Sequence, residues 1–463
     1  MRRIILILLM VFLSISLGLG VYNKSIKSAY GLSGWSGYYF VKIDNNKVDS
    51  TALTDYQIKV EMDPTLTDFW NNVQPDARVV RFTEDDGETL LPYWIEKWDY
   101  ENRKATIWVK VPDIPVGIKY IYMYYGNPSI SGIGWHTDPD NPTSGWWAGD
   151  GDSTFIFFDD FEGGSVNTGK WDKGIGFIGG IGRIDVSNGR ISLSSSSYLN
   201  DRGYAYIKSK RNFDEYNEFI WEIEAKVHPF PKYSWEHTSY PNGINRIRHK
   251  IENIGVGDYF IMEKDKTENP ISHIKYQYPN GPFYSDSIDK WLKMTQTLFS
   301  NGTKFEIKVV REEDGQTEVD TSTSTSLGSN RKLVIVVGEN GGGLAFYYKG
   351  KTEVDYTFVR KYADVEPEIS VEMIPLIKGT ATRTGYFEFF VDREGRRWLL
   401  RIPDRGYTTG WIPFDRLRDT GNFMSGYYAD RRYHLTFDWY SSGRCSLLFN
   451  DRREGVNIKF GGR

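Results

Sequence analysis

The residues best suited to chemistry are carboxylates. In Trp221-Glu222-Ile223-Glu224 two glutamates stand two positions apart, and Glu218 has the same parity. Alternate residues of a strand share one face, so Glu222 and Glu224 are expected side by side. A retaining glycoside hydrolase needs such a pair about 5–5.5 Å apart, one as nucleophile and one as acid/base. The same spacing also describes a row of solvated acids behind a buried Phe219, Trp221 and Ile223. A second acidic group is Asp159, Asp160 and Glu162, with Asp355 far downstream. His228, His237 and His249 have neither the short spacing nor the cysteine partners of a zinc motif.

A third set is aromatic. Between His228 and Tyr284 the chain is irregular and carries Trp235, Tyr240, Tyr276, Tyr278 and Tyr284 among Asn and Asp residues. Rings that meet sugar CH faces, beside amides that meet hydroxyls, are what a carbohydrate groove requires. Packing of loop interiors is the competing use of the same rings. Trp135, Trp146 and Trp147 sit in a Gly/Pro/Asp-rich linker, 133–152, and are expected either to stack on sugars or to pack between neighbouring parts of the chain.

Strands must position these groups. The 463 residues include 31 Tyr, 26 Phe, 15 Trp and 46 Gly, a mix that favours strands and turns. Ile107, Val109 and Val111 alternate with Thr106, Trp108 and Lys110, the period of a two-faced strand. Pro112, Pro115 and Gly117 interrupt the chain before a second run, Tyr120 to Tyr125. Six such segments between Gly34 and Ile133 predict an antiparallel sandwich, and eleven between Ser153 and Val371 predict a two-sheet jelly roll. The expected fold class is all-β, with tandem antiparallel β-sandwiches. The expected order is a leader at 1–31, a sandwich with its linker at 32–150, a jelly roll at 151–371 and a small Arg-rich β domain at 372–463.

Two family resemblances sharpen this. The blocks WSGYYFVKI, LTDYQIKVEM, DARVVRFTEDDGETLLPYWIEKW, ATIWVKVP and YIYMYYGNP resemble a domain of unknown function found in exported archaeal and bacterial proteins. The opening DDFEG…W, the middle WEIEAKV and the closing VDYTFVRKY resemble the concanavalin A-like lectin/glucanase superfamily. That superfamily holds sugar binders, adhesion modules and glycoside hydrolases. Its laminarinase-type members carry an Asp between the catalytic glutamates; this chain has none, and Ala225 and Lys226 follow Glu224. Related sugar-binding modules place a structural calcium between an early acid and a late Asp. The resemblance therefore implies calcium held by Asp160, Glu162 and Asp355, with Asp159 beside them.

The remaining features concern placement and partners. Arg2 and Arg3 precede an apolar run from Ile4 to Val21, the pattern of a secretory leader or a signal anchor. A secreted or cell-surface location is expected, with the membrane as a partner only through this segment if it is retained. The net charge of -4 calls for no nucleic acid. Cys445 is the single cysteine, so no intrachain disulfide forms. Asn23 and Asn301 begin N-x-S/T sequons. Residues 373–463 hold 14 Arg and 2 Lys against 10 acids, a net +6, while the preceding residues sum to -10. The Arg pairs at 396–397, 431–432 and 452–453 suggest a basic face for acidic polysaccharide, lipid headgroups or an acidic neighbour. The functional expectation is binding of glycans or partner proteins without turnover. The alternatives are a β-glucan hydrolase and a structural assembly protein.

Overall fold

The computed structural model describes residues 35, 37–178, 181–196, 202–229, 247–251, 260–264, 270–273, 289–322, 328–338, 349–372, 377–382, 384–391, 397–402, 405, 407–410, 412–420, 423–440 and 444–462. They are almost entirely strand, with two short helices, Thr67–Asn72 and Gly151–Thr154. The chain forms two compact units. One comprises the described residues up to Gly132 together with those from Val365 onward; the other is Ile133–Asp364.

In the first unit, the two strands that follow one another around Pro115 belong to different sheets. Lys104–Ile114 is the middle strand of a three-stranded sheet, between Leu53–Met62 and Tyr93–Asp99. Gly117–Tyr125 joins a five-stranded sheet, between Gly37–Asn45 and Val80–Thr83. Alternation explains the packing: Ile58, Val60 and Met62 are buried while Lys59 and Glu61 are exposed. The edge of the five-stranded sheet is Glu368–Glu372, paired antiparallel with Gly37–Asn45. The chain thus returns to the first unit from Val365, ahead of the boundary at 371 expected for the jelly roll. Beyond it, two more five-stranded sheets enclose Phe387, Phe389, Trp398, Leu400, Leu435, Phe437 and Phe449.

The second unit is a two-sheet sandwich. One sheet runs Ile181–Ser187, Arg190–Ser196, Lys349–Arg360, Phe219–Pro229, Trp291–Phe299, Lys304–Arg311 and Thr317–Ser322, and Phe157–Asp159 also pairs with Lys349–Arg360. The other runs Trp171–Ile178, Arg202–Ser209, Leu333–Gly338, Ile247–Ile251, Phe260–Lys264 and Pro270–His273. Trp171, Ile207, Trp221, Ile223, Met294, Ile307 and Ile335 fill the space between them.

One expectation is corrected. Among the described residues no helix is long and apolar enough to cross a membrane, so an anchored cell-surface placement, with the membrane as a partner, has no support there. The apolar run 4–21 behind that expectation lies outside the described residues.

Candidate functional site

The strand Phe219–Pro229 carries both glutamates, and both are buried, at 4% exposure for Glu222 and 6% for Glu224. Neither an open catalytic pair nor a solvated row results, because this face of the sheet is covered. Glu222 lies in register with Phe358, Phe358 stacks on Phe155 at 4.1 Å, and Phe155 stacks on Phe158 at 5.8 Å. Glu222 is committed to two cations, accepting from Arg360 Nε at 2.8 Å with Lys293 Nζ at 3.6 Å. Glu218, just before the strand, accepts the Asn301 backbone amide at 2.5 Å, and Asn301 of the second sequon lies in a turn.

The acids read as calcium ligands do converge, with one exception. Asp159 is spent locally: its carboxylate accepts Trp171 Nε1–H at 2.7 Å and the Phe161 amide at 2.9 Å. Asp355 lies at a β-bulge, where Lys349–Arg360 slips one residue against Glu224/Ala225. The extra residue re-aims a side chain, and Asp355 Oδ2 lies 3.2 Å from Nε2 of His136. Glu162 Oε1 lies 3.7 Å from Nδ1 of the same ring. Its two oxygens also accept the Thr137 amide and the Thr137 hydroxyl, the latter at 2.9 Å. Burial pushes the Asp160 carboxyl up to about 6, against the pull of His136. Burial disfavours charge on His136, but Asp355, Asp160 and Glu162 outweigh it and raise its pKa.

An imidazole therefore stands where these acids meet. Calcium takes six to eight oxygens and has no use for a ring nitrogen. Among the described residues no group of three or more His, Cys, Asp or Glu is arranged to hold a metal ion. In this arrangement a ring nitrogen, and not an oxygen, meets Asp355 and Glu162.

The other histidines have partners of their own. His228 lies between Asp289 at 2.5 Å and Glu353 at 2.6 Å. Hydrogen bonding to His228 holds Glu353 down at about 2, against the effect of burial. His249 is in the core with Nδ1 at 3.2 Å from Met294 Sδ, and burial alone lowers its pKa to about 3. His237, Trp235, Tyr240, Tyr276, Tyr278 and Tyr284 lie outside the described residues. The linker tryptophans pack within the second unit. Trp146 is buried with its ring 5.0 Å from His136, while Trp135 stays 40% exposed, edge-on to Trp147.

A feature missed in the sequence lies on the outer face of the six-stranded sheet. Ala205, Ile207 and Ser209 point into the core, so Tyr204, Tyr206 and Lys208 point out. Tyr204 pairs in register with Gly176, Tyr206 with Gly174, and Lys208 with Asp172. A Cβ at either glycine would run into the facing tyrosine ring. The rings thus lie down over bare backbone, 6.1 Å apart and within 17° of parallel. The legible signal was the pairing of Gly-Ile-Gly with Tyr-Ala-Tyr on neighbouring strands, an aromatic-over-glycine device. Chemically it is a flat, half-buried double ring flanked by one amine and one carboxylate.

The comparisons with known proteins bear on part of this. The sequence model of a domain of unknown function (DUF2341) matches residues 76–174. It takes in the ATIWVKVP and YIYMYYGNP blocks, leaves WSGYYFVKI and LTDYQIKVEM ahead of it, and ends in the first strand of the tyrosine sheet. No curated protein matches. Solved structures that align include a Lotus tetragonolobus seed lectin, at 9% identity over 47% of this chain and 99% of that chain, TM-score 0.28. Lectin II from Ulex europaeus aligns at 10% identity over 41% and 98%, TM-score 0.25. Arcelin-5, a lectin-like defense protein from Phaseolus vulgaris, aligns at 8% identity over 42% and 100%, TM-score 0.26. Likenesses this slight carry nothing for the function of this chain.

Proposed function

We propose that the second unit is a glycan-binding β-sandwich whose recognition platform is Tyr204 and Tyr206. The observation that carries this reading is the pair of near-parallel rings laid flat over Gly174 and Gly176. Flat rings at sheet spacing offer π faces to the CH faces of successive sugars, and Lys208 and Asp172 stand beside them to meet hydroxyls. The reading includes no turnover, since Glu222 is taken up by Arg360 and Lys293 in a covered part of the fold. It also includes no ion: His136 closes the acid cluster in place of calcium.

The test is affinity electrophoresis of the whole chain through gels containing soluble neutral polysaccharides, β-glucans among them. Tyr204→Ala/Tyr206→Ala is expected to weaken retardation at least about tenfold, as loss of two stacking contacts implies. Tyr204→Phe/Tyr206→Phe, which keeps the rings, is expected to retain most of it. Equal retardation of the native and alanine proteins would refute the platform.

A further inference from the structure

We infer a second binding face, for an anionic polysaccharide, on the outer side of the last sheet of the chain. Its five strands are Arg416–Asp419, Phe423–Ala429, Tyr433–Tyr440, Cys445–Asp451 and Val456–Gly462, in that order. Met424, Leu435, Phe437, Leu447, Phe449 and Ile458 face the core. By alternation their neighbours form the opposite side, and the register places them in rows across the strands. One row reads Arg416, Tyr427, Thr436, Leu448 and Lys459. At about 4.8 Å per strand it spans roughly 19 Å, with a cation at each end. Tyr427 is 38% and Leu448 47% exposed.

The charge is what selects the ligand. Arg416, Arg418, Arg444 and Lys459 are all exposed, and among the described residues none has a carboxylate partner. Other arginines of this part of the chain are consumed internally: Arg401 by Glu388 at 2.7 Å and Arg432 by Asp451 at 3.0 Å. Arg416, Arg418, Arg444 and Lys459 therefore set unpaired positive charge along this face, and the exposed Arg431 and Arg452 of the Arg pairs stand in the turns at its strand ends. Arg444 lies 5.7 Å from the Tyr440 ring, which contacts Phe423 at 4.6 Å. Asp438 is the one acid on the described face, and its neighbour in the row is Ser446.

Guanidinium groups bind carboxylates or sulfates through paired hydrogen bonds. Rings, hydroxyls and amides fill the centre, where Ser425, Thr436 and Asn450 suit sugar hydroxyls. A nucleic acid would want cations tracking its phosphates along the middle of the face; here they stand at the margins. A chain of acidic sugars meets both parts of the pattern.

The experiment is titration of the whole protein with polygalacturonate, a neutral β-glucan and single-stranded DNA at about 50 mM and about 500 mM salt. Polygalacturonate is expected to bind at low salt and to be released at high salt. Arg416→Ser/Arg418→Ser should weaken it at least about tenfold, and Lys459→Ser on the opposite margin should weaken it by a smaller factor. Tyr204→Ala/Tyr206→Ala should leave it intact, so failure here and failure of the glucan platform are read separately. Absence of polygalacturonate binding, undiminished binding by the Arg416/Arg418 variant, or tighter binding of DNA would each overturn the inference.

Discussion

At the residue scale, the same side-chain chemistry is used in ways set by burial. His249 is kept neutral by the core, so acid must force a proton onto it. The sign follows from its pKa of about 3 in the fold against 6.5 when unfolded. Below pH 6.5 the unfolded chain binds the extra proton, and stability falls as pH drops toward 3. The cost between pH 7 and pH 4 is about 3 kcal/mol. His249→Leu should lose that part of the acid sensitivity, measured as the pH 7 to pH 4 difference in melting temperature against the native protein. Glu222 gives a second case. Glu222→Ala removes the carboxylate facing Arg360 and Lys293 from a buried site and should cost about 3 kcal/mol in urea unfolding. A neutral outcome would mean that the pair is not the buried tie described. The glutamates were legible in the sequence as an i, i+2 pair. Their role was not, because alternation shows which face a residue occupies and not what covers it. That cover, Phe155, Phe158 and Phe358, comes from segments 64 and more residues away in sequence.

At the element scale, the linker is the largest departure from the sequence reading. Trp135–Thr137 and Gly145–Trp147 form a two-stranded ribbon, and His136 joins it to Asp355 on a core strand of the second unit. Asp355 reaches the ring because a bulge adds a residue, an irregularity that period-2 counting cannot anticipate. The convergence of the early acids with the late Asp was nonetheless legible, since the resemblance brought the first and last strands together and Phe157–Asp159 does pair with Lys349–Arg360. What it lacked was the histidine, which lies ahead of the first strand. His136→Ala leaves the buried Asp355 and the partly buried Glu162 without their ring partner and should destabilise the second unit by about 3 kcal/mol. Removal of calcium with a chelator should leave native melting unchanged. A melting point that rises with added calcium would show that an ion, and not the ring, closes the cluster.

At the scale of the whole molecule, the strands were legible and their partners less so. Lys104–Ile114 and Gly117–Tyr125 read from sequence as neighbours across a tight turn, yet the turn carries the chain between two sheets. Pairing is decided by contacts distant in sequence, as with Glu368–Glu372, which completes a sheet begun at Gly37. A chain ended at Asp364 would leave the edge of Gly37–Asn45 unpaired. Its calorimetric trace should lose the transition of the first unit and keep that of the second. Sugar binding by the second unit requires that Tyr204 and Tyr206 touch the ligand. The most direct measurement is NMR of the whole chain with labelled tyrosine rings, titrated with a soluble neutral glucan. The ring signals assigned to Tyr204 and Tyr206 should shift together and saturate, and those of the buried Tyr122, Tyr124 and Tyr356 should not move. Binding that leaves both platform rings unmoved would contradict a tyrosine platform.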